Sequence, residues 1–403
     1  MPEILKPTTQ KDRIVVLDVL RGFALVGILF ANILSWSGLK FMPIAHIEAL
    51  GDFHVDVILY KLLKFFVDTK FYTIFSILFG IGFSLQFARN KNTAGFIPMY
   101  IRRLGILLVI GMIHAFFWSG DILTLYAIMG FLLILFRNVE PSNLLKYSVV
   151  LLALPIVFDI IFMFTVNHET AHATKTALTV YNDMTPDEVV AGFQSGNWAT
   201  TIKTNLHNLK WRWFAFIPSG RPFKVLGLFI LGFYLYSTGF FNKIGKQWKA
   251  FFVFMIIGTV FTTLSILIGG SVAKFPTEWK NIGHNILHEI GQVSLSLSYM
   301  VLLTILVNRF KNFFVWDLLK NYGRKSMSSY LGHTFINILI FYPVIAWGLF
   351  ATQSLKNVYL IAVGVLTFQL VFSWVWLKFF AFGPIEWLWK CLTYGKWFPI
   401  LKK

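Results

Sequence analysis

Apolar stretches long enough to cross a lipid bilayer recur along this 403-residue chain. A bilayer-crossing helix needs about 20 mostly apolar residues, and ten segments meet that length approximately. They lie at roughly 14–36, 71–88, 99–118, 121–137, 146–166, 223–241, 248–270, 286–307, 327–350 and 357–380. Charged residues make up only 13% of the chain, too few to cover a soluble domain of this length. The sequence therefore predicts an all-α polytopic membrane helix bundle with about ten transmembrane helices.

The segments between the spans complete the predicted organisation. Segment 55–70 is amphipathic and predicts an interfacial or re-entrant helix. In the long segment 167–222, Pro186 is followed by two acidic residues, which is a helix-start signal. We expect a helical extracytoplasmic loop there, either a lid or a structural cap. The predicted divisions are a tail 1–13, a first membrane half 14–166, the loop 167–222, a second membrane half 223–382 and an interfacial segment 383–403.

Lys and Arg are distributed unevenly between the two sets of loops. If the N-terminus is inside, the inside segments hold 22 of these residues and the short outside loops hold four. Because basic residues in short loops set membrane orientation, we predict that both termini are cytoplasmic. The net charge of +18 then reflects topology and attraction to anionic lipids, so membrane lipids are expected partners and nucleic acid is not. The single cysteine, Cys391, excludes an intramolecular disulfide.

The first predicted span carries polar side chains within an apolar helix. Arg21 and Asn32 are eleven residues apart, about 20° around a helix axis, and Asp18 lies one turn before Arg21. Ionisable groups at membrane depth are costly and face a bundle interior or a wet cavity. We therefore predict that Asp18, Arg21 and Asn32 bind a substrate.

Short motifs occur in a fixed order from residue 14 to residue 396. They are LDVLRG at 17–22, FSILFGIG at 75–82, RRL at 102–104, GMIH at 111–114, GDIL at 120–123 and GPIEWLW at 383–389. Together they resemble the YeiB-like family of bacterial inner-membrane proteins, defined by domain of unknown function 418. The resemblance implies a protein of the bacterial cytoplasmic membrane. Its first helix is also similar to that of membrane acyltransferases that modify sugars and glycans.

In those acyltransferases, the Asp-x-x-Arg-Gly helix ends in a His about eleven residues after the Arg, taken as the general base. The corresponding residue here is Asn32, and an amide cannot take up a proton at neutral pH. His114 is the best substitute, because it lies eleven residues after Arg103 and a short turn returns Asp121 towards it. A neighbouring carboxylate raises the basicity of a His and selects its tautomer. We predict His114 and Asp121 as a catalytic pair; the alternative is a hydrogen-bonded packing residue.

A second polar stripe follows the basic segment before residue 326. Ser326, Tyr330, His333 and Asn337 are spaced four, three and four residues apart, which places them on one helix face. They predict either a wall of a binding cavity or interhelical hydrogen bonds of about 0.6 kcal/mol each.

Three further residues are candidates for substrate binding. Arg102 and Arg103 lie at the predicted cytoplasmic side, where they could hold the anionic part of a donor, and Glu386 lies in a family motif. The pair His284 and His288 has a spacing that suits zinc, but no third ligand follows at a recognisable spacing, so no metal site is predicted.

These features lead to one main functional hypothesis and two alternatives. The main hypothesis is an acyl- or group-transfer enzyme acting across the membrane on a glycan or lipid-linked acceptor, with no built-in cofactor and with acyl-CoA as a candidate donor. One alternative is a transporter of a small amphipathic or anionic solute. The other is a non-catalytic protein that binds lipid or quinone. A homo-oligomer is compatible with all three.

Overall fold

The computed structural model describes residues 14–51, 53–91, 93–165, 184–216, 219–240, 248–268 and 278–402. The predicted tail 1–13 and the first part of the predicted extracytoplasmic loop lie outside these residues. The described residues form α-helices joined by short connections, with a single isolated β-bridge between Phe380 and Leu401. The predicted all-α fold is confirmed.

Sixteen α-helices are present in the described part of the chain. They are α1 (Val15–Trp36), α2 (Ile44–Glu48), α3 (Phe53–Phe66), α4 (Lys70–Asn90), α5 (Phe96–Phe117), α6 (Leu123–Leu133), α7 (Pro141–Thr165), α8 (Pro186–Gln194), α9 (Trp198–Phe216), α10 (Arg221–Ser237), α11 (Trp248–Ile268), α12 (Trp279–Arg309), α13 (Phe314–Arg324), α14 (Ser326–Phe341), α15 (Leu355–Phe379) and α16 (Pro384–Tyr394).

Seven helical stretches in the described residues are long and apolar enough to cross a membrane. They are α1, the joined pair α3 and α4, and α5, α7, α11, α12 and α15. The count becomes eight if α9 and α10, which meet at 71°, form one bent span. Each of the ten predicted segments contains a helix, but α6, α10 and α14 are too short to meet the same length, so ten spans are not confirmed.

Proline explains why α14 is shorter than the sequence predicted. The predicted span 327–350 assumed a continuous helix, but α14 ends at Phe341. Tyr342 precedes Pro343, and the proline ring disfavours helical backbone at the residue before it. Tyr342 is extended, with φ of −89° and ψ of 123°.

Helix α1 lies in the centre of the bundle and packs against α4, α13, α14 and α15. Its closest crossing is with α13, where two glycines meet. A Cβ on Gly22 would lie 2.0 Å from the carbonyl oxygen of Leu319, and a Cβ on Gly323 would lie 1.9 Å from that of Asp18. The glycine after Arg21 therefore permits direct backbone contact, as expected where small residues pack helices in membranes.

A second crossing of the same kind joins α4 to α10. A Cβ on Gly80 would lie 1.9 Å from the carbonyl oxygen of Phe229, and a Cβ on Gly232 would lie 2.0 Å from that of Ile77. Gly105 in α5 differs, because a Cβ there would have no neighbour within 4 Å. Gly80 and Gly232 therefore allow close backbone contact between α4 and α10, whereas Gly105 does not serve that purpose.

The described part of the predicted loop is helical, as expected. Helix α8 begins with a capping box: the Thr185 hydroxyl accepts from the Glu188 backbone N–H at 3.2 Å, and the Glu188 carboxylate accepts from the Thr185 N–H at 2.6 Å. These hydrogen bonds lower the pKa of Glu188. Helix α9 follows and packs against α5 and α8.

Large apolar side chains remain exposed on the outer helices. Helices α7 and α11 bury the smallest share of their surface, and exposed residues such as Phe164 and Leu267 point away from the bundle. A soluble protein rarely presents such continuous apolar faces. Surrounding lipid explains them, and the chain is therefore a membrane protein.

Candidate functional site

One large cavity of about 960 Å³ opens inside the bundle. It is lined by α1, α4, α5, α9, α10, α14 and α16, among other segments. The volume is at the upper end of the range for small-molecule sites. The wall between its polar ends is apolar and includes Ile28, Phe75, Leu78, Leu104 and Leu107.

Helix α1 defines the two ends of this cavity. Arg21 lies near its start, and we call the region around it the Arg21 end. At the other end of α1, the Trp36 ring packs on Trp118, the residue directly after α5, with centroids 4.5 Å apart, and we call this the Trp36 end. The fifteen residues from Arg21 to Trp36 span about 22 Å of helix. Arg103 in α5 lies at the Arg21 end and Trp118, directly after α5, lies at the Trp36 end, so α1 and α5 run in the same direction.

At the Arg21 end, the predicted pair on α1 is formed. Arg21 Nη1 donates to Asp18 Oδ1 at 2.8 Å, and both residues line the cavity. Arg103 lines it as well, with its guanidinium 3.7 Å from the ring centroid of Trp389 in α16. The Trp389 indole N–H donates to the Arg103 carbonyl oxygen at 2.8 Å. Arg102 does not line the cavity: it is exposed and donates to the Leu392 carbonyl oxygen at 2.9 Å.

Glu386 lines the Arg21 end and also binds the first turn of α14. Its carboxylate accepts from the backbone N–H groups of Met327 and Ser328, at 2.7 and 3.0 Å, and from the Ser328 hydroxyl. Burial raises the pKa of Glu386, and these hydrogen bonds oppose the rise. Burial also lowers the pKa of nearby Lys325 to about 8, while the charge of Glu386 acts in the opposite direction.

The polar stripe predicted on α14 is divided between two environments. Ser326 and Tyr330 line the cavity, and the Tyr330 hydroxyl is buried without a hydrogen-bond partner. His333 and Asn337 are fully buried outside the cavity lining. His333 Nε2 lies 2.5 Å from the Tyr322 hydroxyl, which also donates to Gln369 at 3.0 Å. For His333 and Asn337, interhelical packing describes the geometry better than a cavity wall does.

His114 and Asp121 are brought together as predicted, but behind the cavity wall. His114 Nδ1 lies 2.8 Å from Asp121 Oδ1, and Nε2 lies 2.8 Å from the Thr334 hydroxyl. In the neutral ring, Nδ1 donates to the carboxylate and Nε2 accepts from the hydroxyl. The rings of Tyr330 and Trp118 lie 5.2 and 5.7 Å from the imidazole and form the wall in front of it.

The Asp121 carboxylate also binds the start of α6. It accepts from the backbone N–H of Leu123 at 3.1 Å and of Thr124 at 2.8 Å. Both ring nitrogens of His114 and both carboxylate oxygens of Asp121 are thus engaged within the protein. Among the described residues, no histidine lines the cavity.

Two arginines at the Trp36 end were missed by sequence reasoning. Arg212 of α9 and Arg221 at the start of α10 line the cavity near Trp118, Gly120 and Ile122. Both lie in or next to the segment predicted as an extracytoplasmic loop, where an arginine is an ordinary surface residue. Their contacts in the cavity are with distant segments, the Asp121 carbonyl oxygen for Arg212 and the Tyr72 ring for Arg221, so no local sequence signal could have identified them.

The remaining histidine pair shows no metal geometry. The rings of His284 and His288 are stacked with centroids 6.0 Å apart, and His284 Nδ1 lies 2.8 Å from the Ser265 carbonyl oxygen. No cluster of three or more metal-ligating side chains occurs within the described residues.

The fold and this cavity define a class: a polytopic, all-helical membrane protein with a ligand-sized internal chamber that has charged ends. Comparison with known proteins identifies its family. The chain belongs to the family described as "Protein of unknown function (DUF418)", whose model matches residues 235–396. It is 32% identical to uncharacterized protein YxaH of Bacillus subtilis (strain 168), over 99% of this chain and 98% of that protein.

A more distant relative supports the same assignment over the full length. The chain is 24% identical to uncharacterized protein YeiB of Escherichia coli (strain K12), over 97% of this chain and 99% of that protein. The resemblance to the YeiB-like family is thereby confirmed. No solved structure matches the chain.

Proposed function

We propose that this protein is a group-transfer enzyme of the bacterial cytoplasmic membrane, which moves an acyl or similar group from a donor with an anionic head to a glycan or lipid-linked acceptor. The observation that carries the proposal is the cavity itself. It runs from a cluster of arginines at one end to the wall in front of a His–Asp pair at the other. The proposed orientation, from the basic loops, places the Arg21 end at the cytoplasm.

The donor site is assigned to the Arg21 end. Arg21 is held in place by Asp18, and Arg103 is held flat against Trp389, which leaves guanidinium N–H groups for an anionic head. An acyl-CoA is a suitable donor because it combines phosphates with a thioester on an extended arm. The apolar wall beyond the arginines suits an acyl chain. Asn32, which also lines the cavity, is placed to orient the acceptor through its amide.

The transfer step is assigned to the Trp36 end. The acceptor hydroxyl oxygen attacks the acyl carbonyl carbon to form a C–O bond, and the hydroxyl proton passes to His114. The bond from the carbonyl carbon to the donor sulfur breaks, and the departing thiolate takes that proton from His114, which returns to its neutral form. Asp121 holds His114 Nδ1–H, which leaves Nε2 as the basic atom. Thr334 occupies Nε2 in this structure, so the step requires either that Tyr330 turns aside and the acceptor replaces Thr334, or that Thr334 relays the proton.

The decisive experiment measures transfer of label from radiolabelled acyl-CoA to bacterial lipid and glycan extracts by the purified full-length protein in liposomes. We expect His114→Gln to lower the rate by about 10²- to 10⁴-fold, the usual contribution of a general base. Arg21→Gln should raise the KM for the donor. Matched controls are His46→Gln and Arg309→Gln, whose side chains are exposed away from the cavity. A wild-type rate in His114→Gln refutes the proposed base.

A carrier for an amphipathic anion is the second candidate, and one observation favours it. The cavity has charged ends and an apolar middle, but no histidine of the described chain reaches it, and His114 is fully hydrogen-bonded behind its wall. The same liposome assay separates the two functions. A carrier moves the intact labelled molecule across the bilayer without bond cleavage, whereas the enzyme leaves the label on the acceptor.

A further inference from the structure

Two cations at the Trp36 end have no role in the transfer scheme. Arg212 and Arg221 both contact one aromatic ring: their guanidinium carbons are 5.4 and 5.5 Å from the centroid of Phe216. Arg221 also lies 5.3 Å from the ring centroid of Tyr72. Aromatic faces attract cations and hold guanidinium planes in position. Both arginines are therefore held in place where they line the cavity.

The hydrogen-bonding capacity of these two guanidinium groups is largely unused. Arg212 donates one hydrogen bond, from Nη2 to the Asp121 carbonyl oxygen at 3.0 Å. The Nε atoms of Arg212 and Arg221 are both buried without a partner. Among the described residues, nothing accepts a hydrogen bond from Arg221. Buried N–H groups are satisfied in almost all proteins, so unsatisfied ones at a cavity wall call for a ligand or water.

Among the described residues, no carboxylate forms an ion pair or hydrogen bond with either guanidinium group. The Asp121 carboxylate already accepts from His114 and from two backbone N–H groups of α6, and it meets Arg212 only through its backbone carbonyl. Glu289 is bound to Lys224 at 2.5 Å and to Gln292. The charge of Asp121 acts on Arg212, but the repulsion from Arg221 is the larger effect, and an anion bound by both arginines offsets that repulsion.

We propose that Arg212 and Arg221 bind the phosphate group of the molecule that occupies the Trp36 end. Arginine presents several N–H donors in a planar fork that matches phosphate oxygens in two-point contacts. Phosphate could come from a lipid headgroup or from a soluble phosphate compound, and the chemistry of recognition is the same. The identity of this phosphate compound as the acceptor rests on the proposed function, but the binding site itself does not.

The site formed by Arg212 and Arg221 lies beside the residues assigned to the transfer step. Because Arg212 is tied to the Asp121 backbone, an anion held by the two arginines lies beside the turn that carries the His114 partner. A phosphorylated acceptor bound there would have its remaining hydroxyl groups directed into the cavity near Tyr330, whose own hydroxyl has no partner.

The test uses the full-length protein in neutral detergent and two matched pairs of probes. Phosphatidic acid is compared with diacylglycerol of the same acyl chains, and inorganic phosphate is compared with chloride at equal ionic strength. Binding is read from native mass spectrometry and from the rise in melting temperature. Stabilisation by phosphatidic acid alone identifies a lipid-borne phosphate, and stabilisation by inorganic phosphate identifies a soluble one. Both outcomes support the site, and the absence of both overturns it.

Variants then assign the binding to these residues. Arg221→Gln should weaken phosphate binding about tenfold or more. It should change the melting temperature of the ligand-free protein little, since Arg221 donates no hydrogen bond in the structure and loss of its contacts with the Phe216 and Tyr72 rings is offset by loss of its repulsion with Arg212. Arg212→Gln should weaken binding similarly, and Arg221→Gln carries the test if loss of the Asp121 contact unfolds it. Lys203→Gln, exposed on the same helix α9, is the control. Wild-type affinity in Arg221→Gln overturns the proposal.

This result is independent of the transfer assay. Loss of transfer in every assay while phosphate binding persists would refute the enzyme and leave the site in place. Transfer that survives in Arg221→Gln, together with unchanged phosphate binding, would refute the site and leave the enzyme in place.

Discussion

The glycine crossing between α1 and α13 can be tested by the smallest substitution available. In Gly323→Ala, the new Cβ would lie 1.9 Å from the Asp18 carbonyl oxygen and 2.6 Å from the Gly22 nitrogen. Both neighbours are backbone atoms, so no side-chain rotation relieves the overlap. Since real Cβ contacts almost never fall below 3.0 Å, the two helices must separate by about 1 Å at this point.

The cost follows from the packing of the bundle. Forcing an extra carbon into a well-packed core costs about 1–3 kcal/mol. The matched control is Gly105→Ala in α5, where a Cβ would meet nothing within 4 Å. Alanine is favoured over glycine inside a helix by up to about 1 kcal/mol, so this variant should be as stable as the wild type or more stable. The stabilities of the two variants should therefore differ by about 1–4 kcal/mol, with Gly323→Ala the less stable.

The assay is thermal unfolding of the full-length protein in detergent, followed by tryptophan fluorescence. Because unfolding of a membrane protein in detergent is often irreversible, variants are compared at one heating rate. A separation of α1 from α13 also displaces Asp18 and Arg21, so donor binding should weaken in Gly323→Ala and not in Gly105→Ala. An unchanged melting temperature in Gly323→Ala would refute the proposed backbone contact.

Three further predictions concern contacts between distant segments. Because burial raises the pKa of Glu386, the folded state favours the protonated carboxyl group. Wild-type stability should therefore fall as the pH rises above the ordinary pKa of 4.5. Glu386→Gln should melt above the wild type at neutral pH, and this difference should vanish in acid. A Glu386→Gln protein that melts below the wild type at neutral pH contradicts this sign. Tyr322→Phe should cost about 1–3 kcal/mol of stability, because it removes the hydroxyl that hydrogen-bonds the buried His333 and Gln369. The Tyr359 hydroxyl has no partner, so Tyr359→Phe should cost almost nothing in the same melting assay. Asp56→Ala should cost about 1–2 kcal/mol, because the Asp56 carboxylate accepts from two backbone N–H groups at the start of α15, at 3.0 and 2.9 Å. Substitution of the exposed Asp187 by Ala should have the smaller effect. Equal melting temperatures of the two variants would refute the capping role of Asp56.

Features that depend on one helix were predictable from the sequence. Asp18 and Arg21 are three residues apart, and helix geometry alone brings such side chains together; the structure has them 2.8 Å apart. The helical segments followed from apolar length, and the start of α8 followed from Pro186 and the two acidic residues after it. Span counts were less predictable, because α14 ends at a proline that a hydropathy window does not weigh.

The candidate site was only partly predictable. Helix spacing made Tyr330 a candidate for a cavity wall, and the predicted cytoplasmic position made Arg103 a candidate for donor binding. Both line the cavity, but neither argument gave a reason to expect that Arg102 would turn towards Leu392. Helix spacing also could not show that His114 would lie behind Tyr330, because the depth of a side chain depends on which neighbouring helix covers it.

By itself, the amino-acid sequence determined that this chain is an all-helical membrane protein of the DUF418 family and that α1 carries a polar face. The sequence could predict only local geometry, since the helix period relates residues that lie within a few turns of one helix. Tertiary structure decided that His114 meets Thr334, 220 positions later, and that Glu386 binds the start of α14, 59 positions earlier. Tertiary structure also decided that Arg212 and Arg221 line the cavity. These contacts depend on how helices cross, and helix crossing is set by packing across the whole bundle.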